Sequence, residues 1–202
     1  MTSLKGEHME EKNAIIEQIL EIELDMFLTV PTTHRYNCQE DTDNFGIHRR
    51  AQFAAWSTPT LESYHMDLLR AKKAECNLFA VKYARMEGIL PCNNFSPLID
   101  KIVSLAIEGQ QRFIADYPCL MRGSRPLSKE ENAPGLTSFE TYLRGELETY
   151  SGKTLELLHK DMLELLESGT NLSEATYCNL ARQWGFDSLK DLEETLRKKC
   201  TP

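Results

Sequence analysis

The stretch "SFETYLRGELETYS" at residues 138–151 indicates an amphipathic helix, and one residue in it breaks the pattern. At about 100° per residue, the apolar side chains form one stripe along the helix, made of Phe139, Leu143, Leu147 and Tyr150. Glu146 points to the edge of this stripe, between Tyr142 and Phe139, and not towards water. Because an unpaired buried charge is costly, this carboxylate needs either a buried partner or a wet cavity.

Helical periodicity recurs along the chain, and no window alternates in the way that a half-buried strand does. Pro and Gly residues and polar stretches divide the periodic segments. The pattern predicts about seven helices, at residues 10–29, 44–57, 58–87, 96–116, 137–167, 173–183 and 187–199. We therefore expect an all-α fold, a single helical bundle whose last two helices form a C-terminal hairpin over residues 173–199.

The domain organisation is expected to be simple, because 202 residues suit one domain spanning 1–202. Residues 1–9 are predicted to be a flexible N-terminus. The irregular stretch "YPCLMRGSRPLSKEENAPGL", at 117–136, predicts a long loop of the kind that often forms a lid or a binding loop. The residue pattern indicates no internal repeat and no low-complexity tract.

Composition narrows the classes of function. The net charge of -8 disfavours a nucleic-acid-binding surface, which needs clustered Lys and Arg. No window approaches the roughly 18 apolar residues of a membrane span, and the N-terminus resembles neither a signal peptide nor a transit peptide. The six cysteines include no C-x-x-C pair and read as reduced thiols. A cytoplasmic protein that binds neither nucleic acid nor membrane is the expectation.

Polar side chains lie on the inner faces of four predicted helices. They are Glu23 on the first helix, Arg49 and Gln52 on the second, Tyr64, His65, Lys82 and Tyr83 on the third, and Tyr142, Glu146 and Tyr150 on the helix at 137–167. A single such residue is usually a satisfied core group. Together they predict a charged cavity between the helices that binds a small polar or anionic ligand.

Each charged residue of this set has an expected role. Arg49 and Lys82 would contact an anion, while Glu23 and Glu146 would act as an acid, a base or hydrogen-bonding groups. The competing hypothesis is a helical interaction or regulatory module in which the same charges are purely structural. No motif identifies a catalytic residue or a cofactor, so whether the protein is an enzyme stays open.

Metal binding is a minor alternative. A di-metal bundle needs two inward Glu-x-x-His motifs, and the chain offers Glu62 with His65 and Glu156 with His159. Glu156 and His159, however, point away from the apolar stripe of their helix. A second set, His34, Cys38, Asp41 and His48, could hold zinc, although its spacing is loose and its acids also suit a solvated loop.

The C-terminal stretch "YCNLARQWGFDSLKDLEETL", at 177–196, has offsets similar to those of a helix-turn-helix. Its second helix nevertheless begins with Asp187 and carries further acids, including Glu193, which repel phosphate. The sequence therefore favours a hairpin that packs on the bundle over a DNA-reading motif.

Four stretches of the chain resemble a known family. They are "LEIELDMF" (20–27), "YNCQEDTDNFGIHRRAQFAAW" (36–56), "NLFAVKYARM" (77–86) and "TYLRGELETYS" (141–151). Over about Glu17 to Asp191, they are similar to an uncharacterised bacterial family, number 4125 among the domains of unknown function. The resemblance implies a small all-helical bacterial protein without an assigned activity, and it supplies no catalytic residues. Some relatives accompany nucleotidyltransferase-like domains, which suggests such a protein as the partner in the interaction-module hypothesis.

Overall fold

The computed structural model describes residues 2–31, 42–133 and 135–200, and these residues form an all-helical fold. Within them nine α-helices occur and no β-strand, apart from one isolated bridge between Ala133 and Leu136. The helices are α1 (Thr2–Leu28), α2 (Thr42–Ala54), α3 (Thr58–Lys73), α4 (Leu78–Met86), α5 (Pro97–Asp116), α6 (Phe139–Leu147), α7 (Gly152–Glu167), α8 (Leu172–Gln183) and α9 (Leu189–Cys200). The prediction of an all-α fold is confirmed.

The helix predicted at 58–87 is in fact two helices, α3 and α4. Between them Glu75 has φ 53°, a left-handed conformation that ends α3. The N–H of Cys76 then donates to the carbonyl oxygen of Ala71 at 2.9 Å, which satisfies the end of that helix. Asn77 begins α4 by accepting from the N–H of Ala80 at 3.0 Å. A left-handed glutamate is not a sequence signal for a helix end, so the break was missed.

The helix predicted at 137–167 also divides, into α6 and α7, which raises the count from about seven to nine within the described residues. Ser151 caps α7 by accepting from the N–H of Thr154 at 3.3 Å. The N–H of Ser151 itself donates to Asp67 of α3 at 3.0 Å. This tertiary contact fixes the break directly before Gly152, the first residue of α7.

The ends and connections also differ in detail from expectation. Residues 2–9, predicted as a flexible N-terminus, form the first turns of α1. The connection from α5 to α6, predicted as a loop at 117–136, contains a short 3-10 helix, Lys129–Glu131. In the C-terminal hairpin Glu193 of α9 accepts from the N–H groups of Cys119 and Leu120 at 2.9 and 2.8 Å, which ties α9 to the segment that follows α5.

The apolar core has two parts. The larger part contains side chains from each of the helices α1 through α7. It includes Ile19, Phe53, Leu61 and Leu155, each with no exposed surface. The smaller part lies between α5, α8 and α9 and contains Phe113, Met121, Ala181, Leu189 and Leu192. No helix of the described ranges is both long enough and apolar enough to cross a membrane.

Two segments share a pattern that helical periodicity did not reveal. "STPTLESYHMD" at 57–67 and "SGKTLELLHKD" at 151–161 are identical at six of eleven positions. The identical pairs are Ser57/Ser151, Thr60/Thr154, Leu61/Leu155, Glu62/Glu156, His65/His159 and Asp67/Asp161. The first segment begins α3 and the second begins α7, each with the serine as N-cap.

The helices around these segments correspond as well. Glu75 and Gly169 are both left-handed, at φ 53° and 81°, and each is followed two residues later by an asparagine that caps the next helix. α1 packs on α2, α3 and α4, as α5 packs on α6, α7 and α8. α4 packs on α6 as α8 packs on α2, and α3 packs directly on α7.

The protein therefore contains an internal repeat, contrary to the sequence-based expectation that none is present. We call α1–α4 repeat 1 and α5–α8 repeat 2; their helices make corresponding contacts, and α9 has no counterpart among the described helices. Most identities lie at caps and single helix positions, and the α5–α6 connection is longer than the α1–α2 connection. Both features hide the repeat from a search for periodic apolar residues.

Candidate functional site

Glu23 of α1 and Arg49 of α2 form a two-pronged ion pair in the core. The Nε of Arg49 donates to Oε2 of Glu23 at 2.8 Å, and its Nη2 donates to Oε1 of the same carboxylate. The Glu23 side chain has no exposed surface, and that of Arg49 is 11% exposed. Paired N–H donors on both oxygens of one carboxylate are the strongest geometry for such a contact, so the buried charge of Glu23 is neutralised.

Glu146 of α6 is the second carboxylate bound by Arg49. The Nη1 of Arg49 donates to Oε1 of Glu146 at 2.9 Å and to Oε1 of Gln52 at 2.8 Å. The Nζ of Lys82, on α4, donates to Oε2 of Glu146 at 2.7 Å. We call Glu23, Arg49, Lys82 and Glu146 the charged cluster; it holds two cations and two anions.

Two tyrosine hydroxyls complete the coordination of the carboxylates. Tyr64 donates to Oε1 of Glu23 at 2.6 Å, and Tyr150 donates to Oε1 of Glu146 at 2.7 Å. Burial raises the pKa of both phenols, and the neighbouring carboxylates raise it further, so both stay protonated and act as donors. Each carboxylate thus accepts at both of its oxygens from the protein's own groups.

The environment of the cluster keeps Glu146 ionised. Burial would raise the pKa of its carboxyl, but the charges of Arg49 and Lys82, with the hydrogen bonds from Lys82 and Tyr150, together hold it well below its usual range. A carboxylate in this state is not a proton donor near neutral pH, so the geometry disfavours the predicted role of Glu146 as an acid. Burial also lowers the pKa of Lys82, although Glu146 opposes this shift.

The rim of the cluster is aromatic and half-exposed. The Nζ of Lys82 lies 3.4 Å from the centre of the Tyr142 ring, and the guanidinium carbon of Arg125 lies 4.9 Å from the same ring. A side-chain hydrogen bond joins Tyr142 to Tyr83. Arg125 comes from the α5–α6 connection and is exposed, so this rim carries a cation at the surface, within reach of solvent.

One buried donor beside the cluster lacks a partner. Trp56 is 2% exposed, and its indole Nε1 has no hydrogen-bond acceptor among the described residues. Its ring packs edge-on against the rings of Tyr64 and Tyr150, with centroids 5.8 and 6.2 Å apart. A buried N–H without an acceptor is rare in proteins and calls for a bound water or ligand as an explanation.

The structure brings together nine of the ten residues that sequence periodicity singled out: Glu23, Arg49, Gln52, Tyr64, Lys82, Tyr83, Tyr142, Glu146 and Tyr150. His65 does not join them, because it takes part in none of the cluster's hydrogen bonds or ion pairs; burial lowers its pKa. Periodicity missed Arg125, which lies in an irregular segment, and it treated Trp56 as an ordinary apolar residue.

The alternative metal sites find no support in the described residues. Across residues 2–31, 42–133 and 135–200, no three or more His, Cys, Asp or Glu side chains are grouped so that they could hold a metal ion. His34, Cys38 and Asp41 lie outside these ranges. His48 packs against Trp184, with ring centroids 6.1 Å apart and the planes nearly perpendicular.

Two grooves on the surface lie away from the charged cluster. One, of about 420 Å³, runs between α3 and α7 and includes Pro59, Met66 and Leu157. The other, of about 370 Å³, runs between α5 and α7 and includes Leu105, His159 and Leu163. Neither groove is lined by a residue of the cluster.

The two repeats differ at the cluster. Buried residues recur with the same spacing in α1 (Ile16, Ile19, Glu23, Met26) and in α5 (Val103, Ala106, Gln110, Phe113), which pairs Glu23 with Gln110. The identical residues of α3 and α7 align the two repeats, and the same alignment extends without a gap into α2 and α6 and into α4 and α8. The pairs that it gives at the cluster are Arg49 with Leu143, Gln52 with Glu146, Tyr64 with Leu158 and Lys82 with Thr176. The charged side chains therefore occur at only one of two equivalent places.

Comparison with known families identifies the family of this chain. The model of a family described as "Protein of unknown function (DUF4125)" matches residues 13–194. No curated protein and no solved structure matches the chain significantly.

Proposed function

The chain belongs to the family DUF4125, proteins of unknown function, and we propose that it binds a small polar ligand at the rim of the charged cluster. Tyr83, Tyr142 and Arg125 would contact the ligand directly. The charged cluster beneath them would set the electrostatic potential at the position of the ligand. Arg125, the exposed cation of this rim, favours a ligand that carries an anionic group.

The observation that carries this proposal is the asymmetry between the repeats. Repeat 2 closes the same helical framework with Gln110, Leu143 and Leu158, where repeat 1 has Glu23, Arg49 and Tyr64. Because buried ion pairs are seldom more stabilising than apolar side chains of similar volume, stability alone gives little reason to keep four charges at this place, three from repeat 1 and Glu146 from repeat 2. Their retention at one place supports a role in binding.

The role that this geometry favours is electrostatic, not proton transfer. Glu23 and Glu146 are each held by cationic and phenolic donors, and the lowered pKa of Glu146 keeps it charged. Arg49 and Lys82, predicted from sequence as anion contacts, already bind carboxylates. They would therefore act on an anion through their charge, from below the rim, while Arg125 makes the contact.

A ligand screen on rim variants tests the proposal. The melting temperature of the protein would be measured with a panel of phosphates, carboxylic acids and amino acids, and repeated on Arg125→Gln. A ligand of the rim should raise the melting temperature of the parent protein and lose most of that shift in Arg125→Gln. Arg122→Gln is the matched control, since Arg122 is an exposed arginine of the same connection and its side chain has no described partner. Equal shifts in both variants would place the ligand elsewhere.

The second candidate is an interaction or regulatory module, for example for a nucleotidyltransferase-like protein. Two observations favour it: both carboxylates are fully bound by the protein's own donors, and the α4–α5 connection exposes Ile89 and Phe95 at 68% and 83%. Exposed apolar side chains at neighbouring positions are typical of protein contacts. Calorimetric titration with a purified nucleotidyltransferase domain would test it. Phe95→Asp should abolish binding, whereas Leu136→Asp, at another exposed apolar position, should not.

A further inference from the structure

The contact between the repeats is reciprocal at its centre. Oδ2 of Asp67, on α3, accepts from the N–H of Ser151 at 3.0 Å and from the hydroxyl of Thr154 at 2.6 Å. Oδ2 of Asp161, on α7, accepts from the N–H of Ser57 at 2.8 Å and from the hydroxyl of Thr60 at 2.6 Å. Each helix thus begins on an aspartate of the other. Asp67 and Asp161 occupy the same position in the two repeats.

The fourth helix of each repeat crosses to the other repeat. α4 packs on α6, where Met86 lies so close to Gly145 that a Cβ there would be 2.7 Å from the Met86 Cγ. α8 packs on α2, where Asn179 donates to the carbonyl oxygen of Ala51 at 3.1 Å. Gly145 and Ala51 are equivalent positions. This exchange makes the contact the same in both directions, as in a symmetric dimer.

The covalent link between the repeats contributes little to this contact. It is the connection from Glu87 to Ser96, whose residues are all exposed or half-exposed. Asn94 is its main anchor, donating to the carbonyl oxygens of Glu148 and Tyr150 at 3.3 and 3.0 Å. The helices on either side would keep their partners if the chain were cut before Cys92.

We infer that α1–α4 and α5–α8 are two copies of one self-complementary four-helix unit, and that the two parts of the chain that carry them bind each other without the covalent link. The inference is independent of the proposed ligand, because it rests on the helix exchange and the reciprocal aspartates.

The charged cluster selects which copies pair. Glu146 of repeat 2 accepts from Arg49 and Lys82 of repeat 1, whereas repeat 1 has Gln52 at the position equivalent to Glu146. A pair of two first repeats would therefore leave Lys82 buried without a carboxylate. Because an unpaired buried charge is costly, the pair of unlike repeats is favoured over either pair of like repeats.

Cutting the folded full-length protein tests this inference. A protease recognition sequence would be inserted after Leu90, and the purified protein would be cleaved there. We expect the two pieces to stay together as a one-to-one complex by native mass spectrometry, with an unchanged far-ultraviolet circular dichroism spectrum. After unfolding in urea and dilution they should re-form that complex, with a midpoint that rises with protein concentration.

Variants at the reciprocal aspartates give a second readout on the cleaved protein. Asp67→Asn combined with Asp161→Asn should weaken association by at least about tenfold, since hydrogen bonds to charged groups are lost on both sides. Glu62→Gln combined with Glu156→Gln, on the exposed faces of the same helices, should leave association unchanged. The inference is overturned if the pieces separate under native conditions, pair as like with like, or refold with a midpoint that does not depend on concentration.

Discussion

Arg49 and Leu143 occupy equivalent, half-buried positions in the two repeats, yet one side chain is a cation and the other is aliphatic. Tyr64 and Leu158 differ in the same way, as do Glu23 and Gln110. The helices around both sets nonetheless pack in the same order. The comparison shows that this arrangement of helices packs with or without buried charges. The charges of repeat 1 are therefore an addition to the framework and not a condition for it.

Removing one member of the charged cluster should have the largest effect on stability. In Glu23→Ala the guanidinium of Arg49 would lose both hydrogen bonds to Glu23 in the core. Because the remaining charge is only partly neutralised, the free energy of unfolding should fall by about 3–5 kcal/mol. Urea denaturation followed by circular dichroism measures this loss.

The equivalent position in repeat 2 provides the control. Gln110→Ala removes a buried polar side chain of similar size but leaves no charge behind, so a loss of about 1 kcal/mol is expected. Equal losses in the two variants would mean that the charge of Glu23 adds nothing beyond the volume of its side chain, and the contrast between the repeats would lose its energetic basis.

A methyl group at the crossing of α4 and α6 should have the next largest effect. Gly145→Ala would put a Cβ at 2.7 Å from the Met86 Cγ and 3.1 Å from its Sδ, so Met86 or α4 must move. The expected cost is about 1–3 kcal/mol in the free energy of unfolding, as for other overpacked cores. The equivalent crossing, of α8 on α2, has a methyl group at the matching position, Ala51, which makes the two crossings directly comparable.

Gly152→Ala is the matched control for this overpacking. Gly152 is the first residue of α7, and nothing lies within 4 Å of a Cβ built there. Its melting temperature should stay the same or rise slightly. If Gly145→Ala is as stable as Gly152→Ala, the α4–α6 crossing is looser than the distances indicate.

Glu146 should make stability depend on pH, whereas Gln52, its equivalent, cannot titrate. The pKa of Glu146 is lower in the folded protein than the ordinary value of 4.5. The unfolded chain therefore binds a proton more readily, and stability is lost as the pH falls below about 5. For this single group the slope reaches at most about 1.4 kcal/mol per pH unit.

Urea midpoints of the parent protein and of Glu146→Gln between pH 7 and pH 3 measure this dependence. The parent should lose stability on acidification faster than the variant does, because the variant has no proton to bind at this position. Parallel curves would show that Glu146 titrates alike in the folded and unfolded chains, in conflict with its contacts to Arg49 and Lys82.

The convergence of the cluster was predictable because it depends on helical period. Glu23, Arg49 and Glu146 each break an apolar stripe, and a stripe shows which way a side chain points whatever the neighbouring helices are. The pairing of these residues was not predictable. Arg49 binds both carboxylates and Lys82 binds Glu146 because α4 packs on α6. No local sequence pattern specifies that packing.

The helix breaks and the repeat were missed for a different physical reason. α3 ends at a left-handed Glu75, and α7 begins where Asp67 of a distant helix binds the N–H of Ser151. The start of α7 depends on a tertiary contact, which overrides the local preference of the intervening residues for helix, and the end of α3 depends on a left-handed glutamate, which has no sequence signal. The Ser, Thr and Asp that are identical in the two repeats form the contacts between α3 and α7, so their role became visible only with the fold.

Replacing three residues of repeat 1 by their repeat 2 equivalents should have the smallest effect on stability. The triple variant Glu23→Gln, Arg49→Leu, Tyr64→Leu gives repeat 1 the residues that repeat 2 has at these places. Glu146 would keep Lys82 and Tyr150 as donors, so no charge is left without a partner. The free energy of unfolding should change by about 1 kcal/mol or less, in contrast to the single Glu23→Ala.

The same triple variant separates the two candidate functions. Its far-ultraviolet circular dichroism spectrum and urea midpoint should match those of the parent. A ligand that the screen on rim variants has identified should no longer raise its melting temperature, because the charges of Arg49 and Glu23 are absent. A triple variant that loses as much stability as Glu23→Ala would show that repeat 1 needs its charges in order to fold. The charged cluster would then be a structural element of the interaction-module hypothesis, since the argument for a ligand depends on a framework that closes without it.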